Sequence, residues 1–373
     1  MPQSSRLSQV AERDKQGAAL LERLMDISVR LLPKMYLDGE FAFTMAGARG
    51  PDAGWQLHRT GRSLRYTAIT ALGLRGLGEP EQRAILAGDT AHDLVGRMTK
   101  RLDAVTDLGD AALVCWAAAE ARHSDLPWAV ERLAAIDRHG GPAEVIAAAW
   151  VVTALVAARG EADVEAHLAA ARQRLLAARG SVLYPHLTGG AGAWYRAHVG
   201  SFADQVYPVQ ALARLHASAG DPEALAVADS VAGTICAAQG DAGQWWWHYD
   251  SRTGGVVEGY PVYSVHQHAM APMALLDLAD AGGQDHLDAI CRGLRWLENR
   301  PESSEDLVLD EPPVTWRKVA RGDRRKVVRG ARAASTRLHP SIRLQALDRV
   351  WGPGTVDREC RPYELGWLLL TWL

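Results

Sequence analysis

The chain has 373 residues, 48% of them hydrophobic, and 41 Lys and Arg against 44 Asp and Glu give a formal net charge of −3. That balance implies a large buried core, excludes wholesale disorder, and speaks against a nucleic-acid-binding protein, for which no binding module is present either. Alanine and leucine dominate and β-branched residues rarely cluster, so the chain reads as all-α.

The first sixteen residues, MPQSSRLSQVAERDKQ, lack the apolar run of a signal peptide, and the longest apolar segment, 145–158, is too short to span a bilayer. No transmembrane segment and a cytoplasmic location are the expectation. Cys115, Cys236, Cys291 and Cys360 are scattered without a CxxC pair, which fits reduced thiols better than a disulfide framework or a metal site.

Periodicity and turn residues divide the chain into about twelve helices. They fall at 5–36, 61–77, 79–102, 108–122, 126–138, 142–159, 161–178, 203–219, 221–238, 262–280, 284–298 and 361–373. Short links such as GLGEP and SAGDPEA predict antiparallel hairpins. Three longer connections, 38–60, 180–202 and 239–261, each place a glycine just before a tryptophan, at Trp55, Trp194 and Trp245. The helices that follow align Tyr66, Asp204 and Gln267 in one column, with Asp110 in a fourth copy and Tyr363 or Glu364 in a fifth. A degenerate repeat of paired helices implies stacking, and six hairpins close economically into a single α/α toroid with inner and outer layers over residues 1–373.

The N-terminal ends of the inner helices would then open at one end of the bore. That end gathers Arg65, Tyr66, Asp110, Asp204, Tyr207, Glu258, Tyr260, Tyr263, His266, Gln267, His268, Arg361, Tyr363 and Glu364, with Trp55, Trp194, Trp246 and Trp247 beside them. Aromatic walls around a few ionisable groups make a candidate active site, although helix capping is an alternative role for Asp110 and Asp204. His266 and His268 diverge by roughly 200° on a helix, so only one can face the bore. Neither a zinc set nor a nucleophile elbow accompanies them.

The long connection 299–360 begins acidic and turns strongly basic. It reads as a solvated charge run or as an anion site for a diphosphate or an acidic sugar, built from Arg317, Lys318, Arg321, Arg324, Arg325 and Arg329.

QGDAGQW, with Gln239, Gly243 and Trp245, resembles the Gln-x-x-x-Gly-x-Trp repeat of squalene cyclases, related terpenoid cyclases and protein prenyltransferase β-subunits. GAGAW and DAGW look like decayed copies. The resemblance implies an α/α toroid in which Gln239 bridges helix ends and Trp245 packs across the outer layer. It also implies an isoprenoid bound in an aromatic bore and cyclised from a protonated start, with Asp204 as the acid and Asp110 or Glu364 as second choices. No cofactor is expected, except Mg²⁺ if the substrate is a diphosphate. The Asp-x-Asp-Asp-Thr-Ala acid motif is missing: RYTA keeps Thr67 and Ala68 but has Arg65 and Tyr66 in place of acids. The prenyltransferase zinc pattern is missing too.

Two alternatives remain open at this point. One is a carbohydrate-active hydrolase, lyase or epimerase on the same toroid, using tryptophan platforms and acids such as Asp204 and Glu258; only three phenylalanines in the chain favour it over a hydrocarbon cavity. The other is a toroidal binding protein without catalysis. The expected partner of the enzyme is a small-molecule substrate, apolar or diphosphate-bearing in the leading case; a scaffold would keep a ligand or partner instead.

Overall fold

A computed structural model describes residues 4–52, 54–138, 141–190, 192–323, 326–344 and 346–373. In chain order the helices are α1 (Ser4–Arg13), α2 (Lys15–Met35), α3 (Leu64–Leu74), α4 (Glu79–Ile85), α5 (Ala91–Thr99), α6 (Leu108–Glu120), α7 (Leu126–Asp137), α8 (Val145–Ala158) and α9 (Glu165–Ala177). They continue with α10 (Ala203–Ala219), α11 (Pro222–Ala237), α12 (Ala271–Asp280), α13 (Leu287–Asn299), α14 (Val327–Leu338), α15 (Leu347–Val350) and α16 (Pro362–Trp372). A single π turn, His266–Met270, leads into α12.

Helices α6 and α8 are apolar nearly all round and bury almost every side chain, the signature of an inner layer. The inner ring runs α3, α6, α8, α10, the π turn with α12, then α16, and α16 packs back on α3. Outside it, α5, α7, α9, α11 and α13 each pack on the inner helix that precedes them, while α2 covers α16 from the other end of the chain. The fold is therefore the α/α toroid, with its sixth hairpin assembled from the two ends of the sequence.

Local rules set the inner N-termini on one end. Ser63 caps α3 by accepting from the Tyr66 amide, and Asp107 caps α6 by accepting from the Asp110 amide. The repeat motif is architectural: Gln239 Nε2 donates to the carbonyls of Gly243 and Ala289, both at 2.9 Å, tying the end of α11 to α13. Gly243 has φ +96°, and a Cβ there would lie 2.0 Å from the Arg292 carbonyl, so only glycine fits.

The connections at the mouth of the ring are not plain loops. Thr44–Arg49 pairs with Trp55–Thr60 and with Glu359–Cys360. His248–Asp250 pairs with Val199–Ser201 and Val256–Glu258. Lys318–Arg321 pairs with Val262–Tyr263 and Pro353–Asp357. The basic run is thus the central strand of a small sheet followed by α14, rather than a solvated loop; Arg324 and Arg325 lie outside the described residues.

Large aromatic side chains of the inner helices pack together in the bore. Trp116, Trp150, Tyr207 and Trp367 are buried in it, and Trp367 Nε1 donates to the Tyr207 hydroxyl at 2.9 Å. Tyr207 therefore belongs to the plug, leaving the mouth as the place where a ligand can be met.

Candidate functional site

The three tryptophans at 245–247 divide by environment. Trp245 is fully buried against Phe202, with ring centroids 5.5 Å apart. Trp246 turns outward and meets the edge of Tyr260 at 5.9 Å. Trp247 faces the mouth, parallel to the His266 ring at 6.0 Å and 4.9 Å from Tyr263.

A cleft of about 310 Å³ opens next to this stack, lined by Tyr260, Tyr263, Arg317, Lys318, Arg329 and their neighbours. The Arg317 guanidinium lies 5.0 Å from the Tyr263 ring and that of Arg329 lies 5.5 Å from the Trp247 ring. Several cations here are already matched. Lys318 pairs with Asp357 at 2.6 Å, and Arg321 pairs with buried Glu258 at 3.0 Å. Glu258 also accepts from the Tyr260 amide at 2.9 Å, so it is committed to this internal network.

Arg317 is held by Glu364 at 3.2 Å. Burial raises the Glu364 carboxyl to about 7, against the pull of Arg317 and of the Arg361 amide that it accepts from. Arg329 differs from Arg317, Lys318 and Arg321: among the described residues no carboxylate stands within ion-pair distance of it, and its Nε has no hydrogen-bond partner. Burial lowers its pKa, as expected for a cation short of counter-charge.

Across the mouth, Arg65 is clamped by Asp110 at 2.7 Å and Asp107 at 2.6 Å, and its guanidinium lies 5.5 Å from the Trp150 ring. Arg65, Asp107, Trp150 and Glu144 line a second hollow of about 340 Å³. His186, whose side chain is 48% exposed, lines a third hollow of about 240 Å³ with Tyr195 and Arg196. Its Nδ1 lies 3.2 Å from Asp204 Oδ2, and its Nε2 lies 3.8 Å from Glu144 Oε1.

Asp204 is completely enclosed. It accepts from the Ser201 amide and hydroxyl, both at 2.7 Å. The hydrogen bond to Asp204 raises the His186 pKa. His248, sheltered behind, is held well below the ordinary value by burial and then by the charges of Arg329, Arg196 and His186.

The remaining expected residues spread more widely. Tyr66 and Tyr363 are in contact at 4.7 Å, and Arg361 donates to the Tyr66 hydroxyl at 2.9 Å, so these three do meet at the mouth. Trp55 packs on Trp316 between Arg49 and Arg358. Trp194 is 68% exposed beside Tyr195 on the 180–202 segment. Gln267 donates back to the Tyr263 carbonyl, and His268, fully buried, has its carbonyl taken by Trp372, so both are interior.

His186, Glu144, Trp150 and Asp107 escaped the sequence reading. His186 sits in the irregular 180–202 connection, where no periodicity marks it, and only the buried aspartate eighteen residues on gives it a role.

No protein-family model matches the chain, and no curated protein sequence matches it. Solved structures do. An unsaturated glucuronyl hydrolase from Bacillus sp. GL1, responsible for the degradation of glycosaminoglycan, superposes with a TM-score of 0.59 at 14% identity, covering 94% of each chain. A heparin-specific unsaturated glucuronyl hydrolase gives 0.57 at 12% identity, covering 95% of this chain and 96% of that one. The unsaturated glucuronyl hydrolase of Streptococcus agalactiae gives 0.56 at 9% identity, covering 95% and 91%.

At these identities the likeness establishes the fold. It also corrects the terpenoid-cyclase and prenyltransferase resemblance: the neighbours are carbohydrate enzymes, and the Gln-x-x-x-Gly-x-Trp element is a helix-end brace that a toroid can use without isoprenoid chemistry.

Proposed function

We propose that the protein is a carbohydrate-active enzyme, a hydrolase that acts on the end of an acidic saccharide seated at the mouth of the toroid. The observation that carries this reading is Arg329, a cation without a carboxylate partner among the described residues, which lines a cleft together with Tyr260, Tyr263 and Arg317 and lies 5.5 Å from the Trp247 ring behind it. An aromatic face takes the apolar side of a sugar ring, and an unmatched guanidinium takes a carboxylate on that ring by a charge-assisted hydrogen bond. The toroid neighbours, which are unsaturated glucuronyl hydrolases, support an unsaturated uronyl end as the acidic group to test first.

The protein's own groups divide the work. Glu364 fixes Arg317 and Asp357 fixes Lys318 along the cleft, while Arg65, Asp107 and Glu144 line the second hollow. The pocket is walled largely by the 299–360 segment, on one side of the 258–263 stretch, which suits a chain end better than the middle of a polymer. Binding of uronate-terminated and neutral oligosaccharides of equal length, compared by isothermal titration calorimetry, tests the reading. Selective retention of the acidic series, lost in Arg329→Gln, is the expected result. Equal affinity for both series contradicts it.

A further inference from the structure

Resting on the carbohydrate reading, we propose that His186 is the group that exchanges a proton with the substrate and that Asp204 is its positioning residue. The expectation from sequence made Asp204 the acid itself. In the structure Asp204 has no exposed surface, and its oxygens are already taken by the Ser201 amide, the Ser201 hydroxyl and His186 Nδ1. A carboxylate so enclosed reaches a substrate only through a partner. That partner is an imidazole with half its surface free.

Because Nδ1 is turned to Asp204, the nitrogen left to face the mouth is Nε2, which lies toward Glu144. The pair has the logic of a buried acid that fixes the tautomer and favours the charged ring of an exposed histidine. The groups bearing on His186 are Asp204 on α10, Glu144 at the start of α8, Arg196 on the same connection and His248 on the adjoining strand. The two carboxylates favour the imidazolium, and Arg196 opposes it.

In hydrolysis the imidazolium Nε2–H gives its proton to the departing glycosidic oxygen, which also takes the electron pair of the breaking C–O bond. Water supplies the oxygen that bonds to the carbon, and its proton returns to Nε2. Glu144, near Nε2, can orient that water.

The test has two arms. In the substrate-free arm, NMR titration of the His186 ring in the intact protein gives a value above that of an ordinary histidine, and Asp204→Asn lowers it. Ser201→Ala, a smaller change that removes one donor from the same carboxylate, shifts it as well and guards against misfolding of the first variant. In the kinetic arm, His186→Ala lowers kcat on a turned-over saccharide by about 10²- to 10⁴-fold with little change in KM, and added imidazole restores part of the rate.

A His186 titration at or below the ordinary value, or one indifferent to both variants, overturns the proposal. So does a His186→Ala enzyme with unchanged kcat. A raised, Asp204-dependent titration without turnover of any saccharide counts against the carbohydrate reading alone.

Discussion

Gly73 and Gly366 meet back to back where the first and last inner helices close the ring: a Cβ on Gly73 would stand 2.2 Å from the Gly366 carbonyl oxygen. No side-chain rotation relieves a clash with backbone, so α3 and α16 would have to separate. Gly73→Ala is expected to cost about 1–3 kcal/mol or more, the range for an overpacked interior. Urea unfolding followed by circular dichroism measures it, and an unchanged midpoint would show that the ring closes loosely.

The same ring is filled at its axis. Tyr207→Phe strips the acceptor from the buried Trp367 indole and should destabilise by about 1–3 kcal/mol, the cost of an unsatisfied buried donor. Trp367→Ala, which also opens a cavity, should cost about 3–5 kcal/mol. Differential scanning calorimetry of both variants checks the order.

Acid should unfold this protein through its interior histidines. His248 and His266 are held well below, and His268 is lowered to about 3 from the ordinary 6.5, in each case chiefly by burial. A histidine kept neutral in the fold contributes stability that is complete above about 6.5 and is lost as pH falls toward its folded value. Each such ring gives a slope of about 1.4 kcal/mol per pH unit below that point. Denaturant melts between pH 7 and 4 should show the decline, and His268→Gln should flatten it; a flat wild-type profile would mean that these rings find protons in the folded state.

Arg329→Gln should raise KM for an acidic saccharide by roughly tenfold or more, since a charge-assisted hydrogen bond contributes about 1.5–3 kcal/mol. Lys318→Ala should do less, because its ammonium is already matched by Asp357. Affinity should also weaken with added salt. Steady-state kinetics over a salt series reads all three.

The toroid was legible because its helices are long, periodic and separated by short links, and because the repeat column marks the inner N-termini. Tyr66, Asp110, Asp204, Tyr363 and Glu364 all came from that column. What the sequence hid is set by tertiary contacts. Periodicity has no means of showing that Trp367 and Tyr207 plug the bore, that Arg321 and Glu258 neutralise each other, or that Arg329 is left unmatched. The Gln239, Gly243 and Trp245 spacing reports a brace between helix ends, which is why it pointed to the right architecture and to the wrong chemistry.

Under the proposed function, an acidic saccharide is hydrolysed at the mouth. Incubation with disaccharides bearing a 4,5-unsaturated uronyl end, followed by the loss of their ultraviolet absorbance and by mass spectrometry of the products, tests it most directly. The absorbance is expected to fall with release of the neighbouring sugar, and Arg329→Gln to slow the loss. Persistence of the absorbance, across acidic disaccharides of different linkage and at enzyme concentrations that saturate binding, would contradict it.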